Sequence, residues 1–267
     1  MRYFITLSYD GTNYHGWQIQ PNADSVQETL QNALSTLLRQ PIEIVGAGRT
    51  DTGVHASMMV CHMDFEPVQC CSMQQSRVPD NSKWCEQLVY KLNKILPQDI
   101  AVKKIEPVAD DMHARFSAKS RTYHYYIHTS KDPFRRAYSW RIPYPTLDID
   151  LMNKAAQVLM EYEDFTSFSK TNTDVKTNIC HITKAEWTDY PNPPEGRGSC
   201  SYNSWMFEVK ANRFLRNMVR AIVGTLVKVG RGRMTIDEMK HVIEAKDRCR
   251  AGESVPANAL FLSNIEY

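Results

Sequence analysis

One glycine-rich stretch, GAGRTDTGVHA at positions 46–56, contains the residues of this chain best suited to chemistry. Arg49 and Asp51 lie two residues apart in it, and His55 follows four residues after the aspartate. A carboxylate in such a loop can act as a nucleophile, and glycines let the backbone approach a ligand closely. The same stretch could also be a plain turn in which Asp51 only accepts a hydrogen bond from a neighbouring N–H. The loop by itself leaves both interpretations open.

Phosphate-binding loops are the first alternative for a stretch so rich in glycine. The dinucleotide pattern G-x-G-x-x-G could begin at Gly46 and Gly48, but it meets Asp51 where the third glycine is required. The pattern G-x4-G-K-[ST] would run from Gly48 to Gly53, but it meets Val54 in place of the lysine. An aspartate in the loop would also repel phosphate, so both phosphate loops are excluded.

Two other chemistries are weaker hypotheses for the same loop. Asp51 and His55 could ligate a metal ion, but the sequence marks no third ligand. A glycosidase with paired carboxylates needs a second acid facing the first across the sugar, and none of the many acids is marked for that role. Neither hypothesis gains support from the rest of the chain.

A basic stretch without any acidic residue covers positions 211–233, ANRFLRNMVRAIVGTLVKVGRGR. If a helix spans 213–228, Arg213, Arg216 and Arg220 fall within about 60° of arc, opposite an apolar side. Such a stripe is typical of a surface that follows nucleic-acid phosphates. A core helix with a solvated arginine edge would show the same pattern.

A second basic stretch, HARFSAKSRTYHYYIH at positions 113–128, is interleaved with aromatic residues. A strand over 121–128 would place Arg121, Tyr123 and Tyr125 on one face. This composition is that of a platform for stacking nucleobases, worth about 1–3 kcal/mol for each base. Tyrosine-rich strands are also common in proteins without such a ligand.

Composition limits the class of protein. The chain has 267 residues, 42% hydrophobic and 23% charged, as a folded globular protein does. Its formal net charge is only +2, so a site for a polyanion must be a local patch. Seven cysteines without C-x-x-C spacing argue against a disulfide framework or zinc ribbon and favour a reducing compartment. With no secretory signal and no bilayer-length apolar run, we expect a soluble, cytoplasmic protein.

Apolar periodicity and turn signals predict an α+β fold with antiparallel-rich sheets, because strands and helices mix without strict βαβ alternation. Ser25 with Glu28, and Thr235 with Glu238, have capping-box spacing at two helix starts. Residues 190–202 are predicted to form an exposed loop or hairpin tip. No residue-level repeat proves that the chain has two similar halves. Strands are predicted at 2–9, 42–45, 58–65, 99–106, 121–128, 179–188, 203–211 and 260–266, and helices at 25–41, 84–95, 150–161, 213–228 and 235–246.

Seven motifs in this order resemble the bacterial tRNA pseudouridine synthase A family over nearly the whole chain. They are YDGTNYHGWQIQ, SVQETL, GAGRTDTGVHA, HARFSAKSRTYHY, DFTSF, FLRNMVRAIVG and VPANALFL. The central GRTDxGVHA is far more specific than a generic glycine loop.

The resemblance implies an isomerase that converts uridine to pseudouridine at positions 38, 39 and 40 of the tRNA anticodon stem-loop. It implies the pseudouridine synthase fold, with two α/β halves, joined antiparallel-rich sheets and a central cleft. Residues 1–110 would form the half with the aspartate loop, and residues 111–267 the half with the tyrosine strand and arginine helix. No metal or organic cofactor is expected, the substrate is tRNA, and the family implies a homodimer.

The resemblance also assigns the site. Asp51 matches the family's nucleophile, and Arg220 would be its cationic partner, because an ionised carboxylate in a dry pocket needs a fixed positive charge. Tyr123 matches the tyrosine whose ring would lie against the target uracil. Arg49 would meet backbone phosphate or displace the flipped nucleotide, and Leu262 would form the apolar pocket wall, with Leu260 as the alternative.

Two other functions would fit many of the same residues. A non-catalytic tRNA-binding or RNA-binding protein on this scaffold would need the basic stretches, but not the set of Asp51, Tyr123 and Arg220. A glycosidase acting on free nucleosides would release uracil. The chain departs from the family pattern by an insertion at 66–83 and by Ala259 where glycine is usual, and these changes concern finer tRNA contacts rather than the chemistry.

Overall fold

A computed structural model describes residues 1–66, 81–143, 146–170, 176–190 and 203–267 of the chain. The chain divides into two compact units. Unit 1 consists of Met1–Lys119 and Ile265–Tyr267, and unit 2 consists of Ser120–Asn264. Both units combine helices with mainly antiparallel strands, as the predicted α+β class requires.

Unit 1 has a strand–helix–strand–strand–helix–strand order. Its sheet runs β4-β1-β3-β2, and each neighbouring pair is antiparallel. This is the split βαβ arrangement of ferredoxin-like folds. The elements are β1 (Arg2–Tyr9), α1 (Val26–Leu38), β2 (Ile44–Gly46), β3 (His55–Asp64), α2 (Asn81–Ile95) and β4 (Ile100–Val108).

Local sequence chemistry explains how α1 begins and ends. The Ser25 side chain accepts a hydrogen bond from the Glu28 backbone N–H at 3.2 Å, which confirms the predicted N-cap. Val26, Leu30 and Leu34 recur at helical spacing and are fully buried. Arg39 adopts the left-handed conformation and ends the helix. The predicted helix over 25–41 is therefore confirmed, with its end a few residues earlier.

Unit 2 repeats the order of unit 1, with two additions. Its sheet runs β9-β5-β8-β7, which matches β4-β1-β3-β2 when the strands are numbered within each unit. The additions are β6, which pairs in parallel with β5, and α5, which lies between α4 and β9. The elements are β5 (Ser120–His128), β6 (Trp140–Arg141), α3 (Ile149–Val158), β7 (Ile182–Asp189), β8 (Ser204–Ala211), α4 (Met218–Gly230), α5 (Ile236–Glu244) and β9 (Leu260–Glu266), whose last two residues belong to unit 1. The two similar halves that no sequence repeat revealed are thus present as a repeated topology.

One predicted helix begins later than expected. The apolar pattern placed its start at residue 213, whereas α4 begins at Met218. Asn217 adopts a left-handed conformation with φ 66°, which an α-helix does not contain, so the preceding residues cannot continue the helix. Arg213 and Arg216 therefore lie outside the helix, and the predicted stripe of three arginines on one helix face is wrong.

Some predicted segments fall outside the described residues. The loop predicted at 190–202 lies outside it except for Tyr190, as does most of the insertion at 66–83. Within the described ranges, no helix is long and apolar enough to cross a membrane. The same ranges contain no group of three or more His, Cys, Asp or Glu side chains that could hold a metal ion.

Candidate active site

The loop between β2 and β3, residues 47–54, carries Asp51 in unit 1, as the sequence predicted. Asp51 is half-buried and Arg49 is exposed. The Val54 N–H donates to the Asp51 carbonyl at 3.1 Å and closes a tight turn, with Gly53 at a positive φ of 74°. At the start of the loop, the Ala47 N–H donates to the Val60 carbonyl of β3 at 2.8 Å. The aspartate is thus presented on a short loop anchored to the sheet at its base.

A second segment, residues 9–17, braces this loop by hydrogen bonds. The Tyr9 hydroxyl at the end of β1 shares a hydrogen bond with the Thr50 hydroxyl at 2.9 Å, next to Asp51. The Gly53 N–H donates to the Tyr14 carbonyl at 3.3 Å. Both sides of the aspartate are therefore tied to a stretch some forty residues earlier in the chain.

Two glycines of the bracing segment allow it to approach the loop at backbone distance. A Cβ on Gly16 would overlap the Thr50 carbonyl oxygen, and Gly16 also has a φ of 93°, which side chains rarely adopt. A Cβ on Gly11 would overlap the Val54 carbonyl oxygen. Glycine is required at both positions for the loop to keep this place.

His55 is buried at the start of β3, directly after the loop in the chain. Its Nδ1 is 3.0 Å from the Gly11 backbone nitrogen and also 3.0 Å from Asp10 Oδ1. One ring nitrogen cannot both accept a hydrogen bond from the Gly11 N–H and donate one to Asp10. We assign Nδ1 as the acceptor because the Gly11 N–H points at it. Asp10 Oδ1 instead accepts the N–H and hydroxyl of Thr12 at 2.9 and 2.6 Å. His55 thus supports the bracing segment, which weakens the metal-site hypothesis further.

Tyr123 lies on β5 in unit 2, opposite Val209 of β8. Its half-buried ring meets the Phe214 ring edge to face, with centroids 5.0 Å apart at 82°. The next residue on the same face, Tyr125, is fully buried, and its hydroxyl donates to the Pro256 carbonyl at 2.9 Å. Burial raises the pKa of Tyr125, and the charge of Arg220 opposes that shift. The predicted aromatic face therefore passes from a partly accessible ring into the core.

Arg220 lies in the first turn of α4. Its Nε donates to the Val255 carbonyl at 2.6 Å, and the Val255 N–H approaches the Arg220 carbonyl at 3.4 Å. The segment that precedes β9 therefore holds both the guanidinium and the backbone of Arg220. Leu262 and Leu260 on β9 are 1% and 5% exposed, so both side chains belong to the interior.

The structure thus divides the predicted site residues between the two units. Asp51 and Arg49 belong to unit 1, whereas Tyr123, Arg220 and Leu262 belong to unit 2. Sequence reasoning did not assign the bracing roles of Tyr9, Gly16 and their neighbours. The signal for them was the motif YDGTNYHGW, in which an Asp-Gly turn follows β1 and a second glycine precedes the tryptophan; both glycines indicate a close backbone approach.

The chain is similar to known proteins over almost all of its length. A family model described as tRNA pseudouridine synthase matches residues 5–117 and 155–267. The tRNA pseudouridine synthase A of Bacteroides thetaiotaomicron is 56% identical over 266 residues, covering 100% of this chain and 90% of that relative. The proteins of the same name from Bacteroides fragilis and Parabacteroides distasonis are 54% and 53% identical, each covering 100% of this chain and 96% of the relative.

Proposed function

This chain belongs to the tRNA pseudouridine synthase family, whose members are isomerases that act on tRNA, and from that membership we propose its specific reaction. We propose that it converts uridine to pseudouridine at positions 38, 39 and 40 of the anticodon stem-loop, with Asp51 as the nucleophile. The observation that carries the proposal is the half-buried carboxylate of Asp51 on a loop braced from both sides.

The reaction is an isomerisation and needs no second substrate. The N1–C1′ glycosidic bond of uridine breaks, a C5–C1′ bond forms, the C5 proton leaves to solvent, and N1 takes up a proton. A nucleophile must stabilise the separated base and sugar while the uracil turns. A carboxylate fixed on a rigid loop can do this without reorganising at the moment of reaction, which is the advantage of a preorganised site.

The other proposed site residues act on the same nucleotide. The Tyr123 ring would lie against the flipped uracil, and Arg220 would keep the Asp51 carboxylate ionised once water is excluded. Arg49, exposed on the aspartate loop, would contact backbone phosphate or displace the flipped nucleotide, and Leu262 would supply the apolar wall. Removing a base from its stack costs a few kcal/mol, which stacking and phosphate contacts offset.

The wider architecture of the family is part of the same proposal. We propose two functional halves, 1–110 and 111–267, with joined sheets and a central cleft that receives the stem-loop. We also propose a homodimer that acts in the cytoplasm, where tRNA is modified, and that needs no metal or organic cofactor.

The test measures tritium release from tRNA labelled at uridine C5, because forming the new bond expels that hydrogen. Asp51→Ala and Asp51→Asn should reduce release to the level without enzyme, while the Kd for tRNA stays within about threefold, since phosphate contacts dominate affinity. Glu43→Ala, which removes an exposed carboxylate from the same unit, is the matched control and should keep wild-type release.

Three results would contradict the proposal in different ways. Wild-type tritium release by Asp51→Asn would show that Asp51 is not the nucleophile. Tritium could also be released only from substrates labelled at uridines outside positions 38, 39 and 40. That result would support the isomerase activity but contradict the proposed target positions. Tight binding by the wild type without any release would favour the non-catalytic RNA-binding protein.

A further inference from the structure

Residues 112–117 of unit 1 form an irregular loop in which every backbone N–H donates a hydrogen bond. The His113 N–H donates to the Ser117 hydroxyl at 2.9 Å, and the Ser117 N–H donates back to the His113 carbonyl at 2.9 Å. These reciprocal bonds close the loop on itself. A loop of this kind does not need a partner to become ordered.

Two histidine rings fix the backbone inside the loop. His113 Nδ1 accepts the N–H groups of Arg115 and Phe116 at 3.1 and 3.3 Å, and His62 Nδ1 accepts that of Ala114 at 3.2 Å. Burial lowers the pKa of His62 to about 4, with the charge of Arg2 adding to the effect, and burial also lowers the pKa of His113. Both rings are therefore neutral acceptors at neutral pH, as these hydrogen bonds require.

Residues from both ends of unit 1 hold the loop against the sheet. The Tyr267 hydroxyl donates to the Ala114 carbonyl at 2.8 Å, and Arg2 Nη1 donates to the Met112 carbonyl at 3.1 Å. Arg2 is itself fixed by two hydrogen bonds of 2.8 Å to the Asp64 carboxylate. The loop is thus rigid although it lies outside any helix or strand.

This rigid loop displays one aromatic side chain to solvent. Phe116 is 76% exposed, although the His113 ring lies 4.4 Å from it and the Arg115 guanidinium 5.7 Å from its centroid. An exposed phenylalanine forgoes the free energy of burial, and single ones are common on surfaces. The backbone that carries this ring is fixed, because the N–H groups of Arg115, Phe116 and Ser117 are all hydrogen-bonded.

We propose that Phe116 stacks on an unpaired base of the tRNA substrate, with Arg115 and Lys119 facing the flanking phosphates. This proposal rests on tRNA as the substrate of the proposed function. The nearest charged side chains before and after Phe116 in the chain, Arg115 and Lys119, are both positive. An aromatic ring with cations on either side in the chain fits a ligand that alternates π faces with phosphates. A protein partner would instead require a contiguous apolar patch. The base must be unpaired because bases within a duplex are already covered by their stacked neighbours.

The experiment compares the Kd for full-length tRNA, over a series of salt concentrations, between the wild-type protein and four variants. Phe116→Ala should raise Kd by about 10-fold to 100-fold without changing the slope of log Kd against log salt, because no charge is removed. Phe116→Tyr should keep wild-type affinity, since it retains the ring. Arg115→Gln should reduce the salt slope by about one phosphate contact.

Tyr90→Ala is the matched control for ring removal. Tyr90 is 65% exposed in the same unit, with Lys94 Nζ 5.3 Å from its ring centroid, but it lies on the regular helix α2. Its removal should leave Kd unchanged. The particle mass and tritium release of each protein are measured in parallel.

The outcomes separate this inference from the proposed function. If the wild-type protein binds tRNA and the Kd of Phe116→Ala lies within about twofold of the wild-type Kd, the stacking contact alone is overturned. A change in particle mass with unchanged Kd would also overturn it and assign the ring to contact between copies of the chain. Absence of binding and release by the wild type would instead be a failure of the proposed function.

Discussion

The two units share one topology but hold their candidate site residues in different ways. In unit 1, Asp51 lies on a loop between β2 and β3. In unit 2, Arg220 lies on α4 and Tyr123 on β5, both regular elements. The fold repeats, whereas the way in which a functional side chain is positioned does not.

The second helix of each unit shows the physical origin of this difference. In α2 of unit 1, Tyr90 and many polar side chains face solvent. In α4 of unit 2, only Arg220 and Lys228 are not fully buried. Helices α3 and α5 both contact α4, and among the described residues unit 1 has no counterpart of α5. Unit 2 therefore fixes an arginine by burying its helix, while unit 1 leaves its second helix at the surface.

The aspartate loop gains its rigidity from backbone contacts instead of burial. Its neighbours are backbone atoms and hydroxyl groups of residues 9–17, with glycines where the two backbones come closest. Changes of one atom or one backbone angle should therefore affect unit 1 most. Apart from Asp51 itself, changes of charge should affect unit 2 most.

Among the changes that leave Asp51 itself in place, the largest effect is expected from Gly16→Ala. The left-handed conformation costs an alanine about 1–2 kcal/mol, and the overlap with the Thr50 carbonyl adds about 1–3 kcal/mol, so unfolding should become easier by about 2–5 kcal/mol. Because Thr50 precedes Asp51, a shift of about 1 Å should also lower kcat about 100-fold. Chemical denaturation and tritium release measure the two effects.

Gly48→Ala is the control within the loop itself. No heavy atom lies within 4 Å of the Cβ it would add, so its unfolding free energy should stay within about 1 kcal/mol of wild type. Equal destabilisation by Gly16→Ala and Gly48→Ala would show that close packing against residues 9–17 does not hold the loop.

A smaller effect is expected from Arg220→Gln in unit 2. The variant weakens the 2.6 Å bond to the Val255 carbonyl, and hydrogen bonds of charged groups contribute about 1.5–3 kcal/mol. Loss of the positive charge should lower kcat about 100-fold if Arg220 supports an ionised Asp51. Lys228→Gln removes a charge from the last turn of the same helix and should change neither quantity. A kcat for Arg220→Gln equal to that for Lys228→Gln would limit Arg220 to a structural role.

Local sequence signals predicted the elements that local chemistry determines. Ser25 and Thr235 cap their helices as predicted, and Thr235 forms the full capping box with Glu238. Strand β1 has its predicted bounds, and β9 begins and ends where alternation placed it. The position of Asp51 between two strands was also predictable, because turn residues interrupt two apolar runs there.

Contacts between distant parts of the chain were not predictable in this way. The start of α4 depends on Asn217, which has a left-handed backbone conformation. Its side chain donates at 2.6 Å to the hydroxyl of Ser254, a residue that follows α5 in the chain. The bond between Tyr9 and Thr50 joins residues 41 positions apart. The repeated topology likewise depends on strand pairing, which leaves no residue-level repeat in the sequence. Periodicity describes one element at a time and carries no information about such partners.

The smallest effect is expected from Tyr9→Phe, which removes only the hydroxyl that bonds Thr50. One hydrogen bond contributes about 0.5–1.5 kcal/mol, and the loop keeps its other contacts, so kcat should fall about three-fold to ten-fold. KM should not change, because Tyr9 is only 4% exposed and is too buried to touch RNA. Tyr3→Phe is the control on the same strand, since the Tyr3 hydroxyl bonds the Met1 sulfur at 3.0 Å, away from the loop. It should cost similar stability without lowering kcat. If both variants lowered kcat equally, the stability of β1, and not the bond to Thr50, would determine how well Asp51 is positioned.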